Sequence, residues 1–141
     1  MKTLLLIPFM LLAGEVFAEN QETQNDLFVV VTSDDPETQM MAMVLATQSL
    51  NQGVQVRVLL CSGGGYLATV GHESKVFQPA NRSPNELLSG LINNGVKVEV
   101  CGIFLPNRDL TETDLIDGVT AASPPEVAEY MRQAGVRYFT F

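Results

Sequence analysis

The stretch "LFVVVTSDDPETQMMAMVLATQSLNQGVQVRVLLC", Leu27 to Cys61, decides the fold. Leu27 to Thr32 is a near-continuous apolar run, the pattern of a strand buried on both faces. Ser33-Asp34-Asp35-Pro36 then turns into a helix, with Asp35 as N-cap and Pro36 at the first helical position, where a missing N–H costs nothing. Met40, Met41, Val44, Leu45 and Gln48 recur at helical spacing and predict its buried face, and Gly53 closes it. Core packing accounts for Met40 and Met41, and an adaptable subunit contact for Met43. Val54 to Leu60 returns as a second strand, so the stretch is a βαβ unit.

Downstream the pattern repeats. Cys61-Ser62-Gly63-Gly64-Gly65 opens a long irregular segment reaching Arg82, and "SPNE" at Ser83 to Glu86 is a capping box with proline at the first helical position. Leu87, Leu88, Leu91 and Ile92 form the apolar face of that helix, Asn94-Gly95 ends it, and Val96 to Ile103 is a third strand. Thr111 and Asp114 cap a short helix near Leu115-Ile116. "SPPE" at Ser123 to Glu126 starts another helix with Val127, Tyr130, Met131 and Ala134 on one face, and Val136 to Phe141 is a last strand. The expected fold class is α/β, a three-layer α/β/α domain with a mostly parallel sheet. The default strand order puts the first strand between the second and third, with the site at the carboxyl ends of the strands.

Upstream, the order of features is that of an export signal. Lys2 supplies a positive start, Leu4 to Ala13 an apolar run too short to span a bilayer, and Val16-Phe17-Ala18 a small-x-small cleavage site before Glu19. Glu15 stands where a lipoprotein signal needs cysteine. The expected organisation is a signal peptide at 1–18, a polar leader at 19–26 and one α/β domain at 27–141, with a periplasmic location and no membrane insertion after signal removal. Lys2 and Glu15 cancel, so the mature chain keeps the net charge of −8, which repels phosphate backbones and anionic lipid and argues against nucleic acid or membrane as partners.

The second and third strands carry a further message. Val54, Val56, Val58 and Leu60 alternate with Gln55, Arg57, Leu59 and Cys61, and Val96, Val98 and Val100 alternate with Lys97, Glu99 and Cys101. Charged residues in that phase predict a sheet face that is thinly covered or is covered by another subunit.

Few residues offer chemistry. Gly63-Gly64-Gly65 lacks the spacing of a phosphate cradle and reads as a flexible turn, although glycines beside Cys61 also let another backbone approach closely. Asp34 and Asp35 read as helix-capping carboxylates. His72 is the single histidine, so a metal site lacks ligands and neither metal nor cofactor is expected. That leaves Cys61 and Cys101, each at a strand end, as a disulfide, a buried apolar pair or a working nucleophile. Gly102 clears room beside Cys101, and the positive end of the Asp35–Pro36 helix would favour a thiolate if it points there. Strand order governs the disulfide. Two spacings, roughly 9–10 Å, put the cysteines beyond the Cα separation of about 7 Å that a bridge tolerates, whereas one spacing of ~4.8 Å makes it feasible.

With "VVVTSDDPET", "SLNQGVQVRVLL", "LLSGLINNGVKVEVCGI" and "LIDGVTAASPPEVAEYM", nearly the whole mature chain resembles the DsrE/DsrF-like sulfur-relay family, as an exported variant. The resemblance implies a DsrE-like fold, assembly into a homo-oligomer (trimer or hexamer), and a sulfur-accepting cysteine at the "VxVC" strand end, which here is Cys101. The function it implies is a sulfur carrier or sulfurtransferase-like protein holding sulfane sulfur as a persulfide on Cys101, with a sulfur donor or acceptor protein as partner. Cys61, Gly102 and Asp35 are secondary site candidates. Two other expectations stand beside it: a non-catalytic oligomeric binding module, and a thiol-redox protein using Cys101 with Cys61.

Overall fold

The computed structural model describes residues 25–141. The expected signal peptide and most of the polar leader lie outside the described residues.

Five strands, β1 (Asp26–Val31), β2 (Val56–Leu60), β3 (Lys97–Val100), β4 (Val119–Ala121) and β5 (Val136–Thr140), form one sheet in the order β4-β3-β2-β1-β5. Every neighbouring pair of these strands is parallel. Helices α1 (Pro36–Asn51) and α2 (Pro84–Asn93) cover one face, and α3 (Pro124–Tyr130) lies on the other. The α/β/α architecture expected from the alternating pattern is therefore present.

The expected strand order is corrected. β2, not β1, stands between its two sequence neighbours, and β5 flanks β1 on the far side. The reason is the side on which the helices pack. Crossovers on one face of a parallel sheet share one hand and so step the sheet in one direction. α1 and α2 are both on the first face, so β1, β2 and β3 lie in a row, and only α3, on the opposite face, carries the chain back past β1. β1 also begins at Asp26, inside the expected leader, because the Asp26 amide donates to Gly135 O at 3.2 Å and draws the residue into the sheet beside β5.

The main core lies between the sheet and α1 and α2. Leu27, Val29 and Val31 of β1, Val58 and Leu60 of β2, and Val98 and Val100 of β3 face Ala42, Met43 and Ala46 of α1 and Leu88 and Leu91 of α2. The buried stripe of α1 is thus Gln39, Ala42, Met43 and Ala46, and not the expected Met40–Met41–Val44–Leu45 face. The helix is apolar on two sides, and the side with small alanines sits closer to the sheet. Met43 is fully buried, whereas Met41 is 54% exposed.

Local signals hold at most boundaries. Asp35 Oδ1 accepts from the Thr38 amide at 2.8 Å, and Ser83 and Glu86 form the reciprocal capping box. Ser123 precedes α3 but makes no side-chain cap bond. The short helix expected near Leu115 is one 3₁₀ turn at Glu112–Asp114, closed by Thr111 and Asp114, and β4 follows it where no strand was expected.

The Gly63–Gly65 run is not a flexible turn. It belongs to a 3₁₀ segment, Ser62–Ala68, in which Gly64 and Gly65 are buried. A Cβ on Gly65 would fall within the Phe104 ring, and one on Gly63 would lie 2.7 Å from Asp34 Cβ. These glycines are there for close approach.

The second face carries the charged phase. Glu99 is 1% exposed, and its carboxylate meets Arg57 at 2.6 Å and Lys97 at 3.1 Å. The Arg57 guanidinium lies over the Tyr130 ring of α3, 4.7 Å from its centroid. A charged phase therefore sits inside because it is paired. The cover is still thin, since α3 itself has no buried residue.

Removing one partner of a buried pair leaves an uncompensated charge, so Glu99→Ala is expected to destabilise by about 3–5 kcal/mol, while Arg57→Met with Glu99→Leu is expected to stay near the wild-type value. Urea unfolding of both variants checks this.

Candidate functional site

The register of β2 against β3 brings the two cysteines together. Leu60 pairs with Val100, and both side chains face the main core. The next residue on each strand points to the opposite face, and those residues are Cys61 and Cys101. The ladders run on into them: the Cys61 amide donates to Val31 O at 2.8 Å, and the Cys101 amide to Leu60 O at 2.9 Å. Their Cα atoms are 5.1 Å apart, close to a single strand spacing of ~4.8 Å, and the sulfurs are joined as a disulfide. The arrangement that the default strand order disfavoured is the one that occurs, because β2 and β3 are neighbours.

Both cysteines are half-buried and pack on the second face with Phe28, Leu59 and Ala122. Cys101 lines an open apolar cavity of about 250 Å³ whose other walls include Leu59, Ala122, Pro124, Val127 and Met131. Cys61 does not line it.

Gly102 also lines the cavity. A Cβ there would stand 2.9 Å from Ala122 O, so its small size lets the backbone after β4 pass beside Cys101. That backbone leads directly into α3, the cavity roof. The room that Gly102 leaves beside Cys101 is taken up by that neighbouring chain.

Asp35 caps α1, as its place before Pro36 predicts. Its carboxylate accepts from the Thr38 amide and from the Thr38 hydroxyl at 2.9 Å, and the Thr38 backbone N–H is the main cause holding it below the usual carboxylate range. The N-terminus of α1 is thus already capped by a negative group. Asp34 abuts Gly63, two residues after Cys61. His72 ends a turn in which its amide donates to Thr69 O, and it is not part of the cavity wall.

Local pattern alone does not bring together the residues that shape the surroundings. Ala122, Pro124, Val127 and Met131 enter the site only because β4 pairs with β3 and delivers α3 over the cysteines. Phe104, Tyr66 and Arg108 form a stack between the two loops that follow the cysteines. The tight glycines before Tyr66 were the available signal. Farther along α3, burial pushes the Tyr130 hydroxyl up to about 12, helped by Asp26, to which it donates at 3.3 Å.

Chemically, this arrangement supports thiol–disulfide exchange. A thiolate entering the cavity would reach Cys101, form a mixed disulfide there and release Cys61 as the leaving thiolate.

Residues 25–141 match the model of the DsrE/DsrF-like family. Among curated proteins, the chain is 30% identical over 112 residues to Uncharacterized protein MJ0989 of Methanocaldococcus jannaschii, covering 76% of this chain and 93% of that one. It is also 30% identical over 114 residues to Uncharacterized protein MK0008 of Methanopyrus kandleri, covering 77% and 89%. It is 25% identical to Uncharacterized protein MJ0760 of Methanocaldococcus jannaschii over 80% of this chain, but spans only 42% of that longer protein. Among solved structures, the ychN protein from E. coli superposes with a TM-score of 0.62 at 22% identity, covering 82% of this chain and 99% of that one. MTH1491 from Methanobacterium thermoautotrophicum gives 0.64 at 18% identity, covering 82% and 98%. These structural likenesses show the fold.

If the cavity is the route to Cys101, filling it slows exchange. Ala128→Phe, at an exposed position on its wall, is expected to lower the rate of disulfide reduction by dithiothreitol by about tenfold without changing Tm. Stopped-time alkylation of the released thiols measures the rate, and an unchanged rate would place the route elsewhere.

Proposed function

The chain belongs to the DsrE/DsrF-like family, and from that membership we propose a sulfur-relay protein in which Cys101 accepts sulfane sulfur and Cys61 is its resolving thiol. The observation that carries this reading is the in-register Cys61–Cys101 pair, with Cys101 on the wall of an open cavity.

The proposed cycle starts from the reduced pair. The Cys101 thiolate attacks the outer sulfur of a persulfide donor, forms a Cys101 persulfide and releases the donor thiolate. The persulfide then has two exits. An acceptor thiolate can take the outer sulfur and return Cys101 as a thiolate. Alternatively, the Cys61 thiolate attacks Cys101 Sγ and expels hydrosulfide, leaving the disulfide. In that second exit the sulfane sulfur gains two electrons and the two cysteines lose them, so a dithiol reductant must reopen the pair. The disulfide is then the resting state of a reversible cycle.

Incubating reduced, folded protein with inorganic polysulfide tests this by intact mass. Cys61→Ser is expected to retain the mass of one added sulfur, Cys101→Ser to add none, and wild type to end as the disulfide with hydrosulfide released. Failure of folded Cys61→Ser to gain sulfur would rule the carrier role out. A disulfide that cannot be reduced without unfolding would leave the bridge as a structural staple in a binding module.

The proposal extends to setting and assembly. The sequence layout of residues 1–18, a positive start, an apolar run and a small-x-small site, supports export to the periplasm, where an oxidised resting pair is the ordinary state of neighbouring thiols. The family resemblance supports a homo-oligomer, and the exposed Met41 and Leu45 on the outer side of α1 are apolar surface suited to a second copy. Expression of the full chain in a bacterium is expected to yield periplasmic protein beginning at Glu19 that sediments as a trimer or hexamer. A cytoplasmic product beginning at Met1 argues against export, and a monomer against assembly.

A further inference from the structure

Cys61 is followed by the 3₁₀ segment Ser62–Ala68 and Cys101 by a turn, and one side chain ties these two connections together. After Cys101 the chain turns back, with the Phe104 amide donating to Cys101 O at 2.7 Å. After Cys61 it passes through Ser62 at φ +48°, a left-handed conformation that non-glycine residues adopt only when their surroundings hold them there. Arg108 reaches between these segments. Its Nη1 donates to Phe104 O and its Nη2 to Ser62 O, both at 3.3 Å. The guanidinium lies 4.3 Å from the Phe104 ring centroid and 5.3 Å from that of Tyr66. The two rings pack edge to face at 5.4 Å, and Phe104 occupies the space that a Cβ on Gly65 would need.

Like Arg82, Arg132 and Arg137, Arg108 makes no ion pair among the described residues. Its guanidinium instead meets two backbone carbonyls and two rings, one carbonyl being that of the residue next to Cys61 and the other lying in the turn that begins at Cys101. A planar guanidinium can donate in two directions while lying flat on aromatic faces, which an ammonium cannot.

We propose that Arg108 is a positioning residue for the Cys61–Cys101 pair, clamping the loops behind both cysteines so that the reduced thiols stay in register for disulfide closure. This rests on the reading of the two cysteines as a working pair. In that role Arg108 raises the effective concentration of one thiol at the other, because loop freedom that is already restricted need not be lost on closure. The disulfide of the intact protein is correspondingly harder to reduce than that of a protein with the clamp removed. A guanidinium acting instead as a nearby charge would have the opposite effect, since it would stabilise the thiolates and make the disulfide easier to reduce.

The experiment equilibrates wild type, Arg108→Gln and Arg108→Lys, all folded, in graded mixtures of reduced and oxidised dithiothreitol. The oxidised fraction is then read by alkylation and intact mass. Both variants are expected to shift the equilibrium about tenfold toward the dithiol, which is ~30 mV for a two-electron couple, with lysine failing to rescue. An unchanged equilibrium, a shift toward the disulfide, or restoration by lysine would each overturn the assignment. If Arg108→Gln does not fold, Tyr66→Leu serves in its place at an exposed position, with a smaller shift in the same direction expected and no shift contradicting the clamp. Should the wild-type pair itself fail to open and close in the folded state, the working-pair reading fails and the clamp with it. Should it cycle normally while the variants match it, the role of Arg108 alone is lost.

Discussion

Parallel pairing of β2 with β3, in the register that sets Leu60 opposite Val100, is the constraint on which the candidate site depends. Alternation along each strand does the rest. Residues that face the main core up to Leu60 and Val100 are followed by residues that face α3, so two cysteines one step farther meet across a single strand spacing. A slip of one residue would turn one cysteine to the other face and separate the pair. That register is secured by burial, because Val58, Leu60, Val98 and Val100 are all at or below 1% exposure on the helix-covered side. Apolar packing on one face of the sheet thus determines the covalent chemistry on the other.

The two faces differ in how firmly they are held. Under α1 and α2 lies a continuous apolar core. Under α3 lie only a few buried apolar residues and the Arg57–Glu99 pair, which contributes little net stability once both charges have been desolvated. A helix with no buried residue and little apolar area beneath it belongs to the less stable end of the structure. α3 also roofs the cavity beside Cys101, so that cavity lies against the most weakly anchored layer of the domain. The disulfide itself closes a separation of 40 residues, for which the chain-entropy account gives a contribution of roughly 4 kcal/mol. Opening the pair therefore loosens the chain without removing the main core.

Much of this was legible in the sequence. The βαβ alternation, the Asp35 and Ser83 caps and the placement of both cysteines at strand ends follow from local rules that tertiary contacts did not override. Four features were not legible, each for a physical reason. The order of strands depends on which face each helix packs against, and neither "LLSGLI" nor "PPEVAEY" encodes that by itself. The buried side of α1 is ambiguous in the sequence because both of its sides are apolar, and small Ala42 and Ala46 outcompete larger Met41 and Leu45 for the position against the sheet. β4 has three residues, too few for any periodicity, and the cavity walls that depend on it were hidden with it. Arg108 lay beyond reach because its partners, Ser62 and Phe104, belong to two segments that only the β2–β3 register brings together.

The central claim is that Cys101 is the entry sulfur of a pair that opens in the folded protein. The most direct measurement treats oxidised, folded wild-type protein with a limiting amount of a chromophoric aromatic thiolate, quenches with acid, and locates the mixed disulfide by peptide mass mapping. The account predicts the adduct on Cys101, with Cys61 recovered as the free thiol. An adduct on Cys61, or one that forms only when the protein is unfolded, would contradict it.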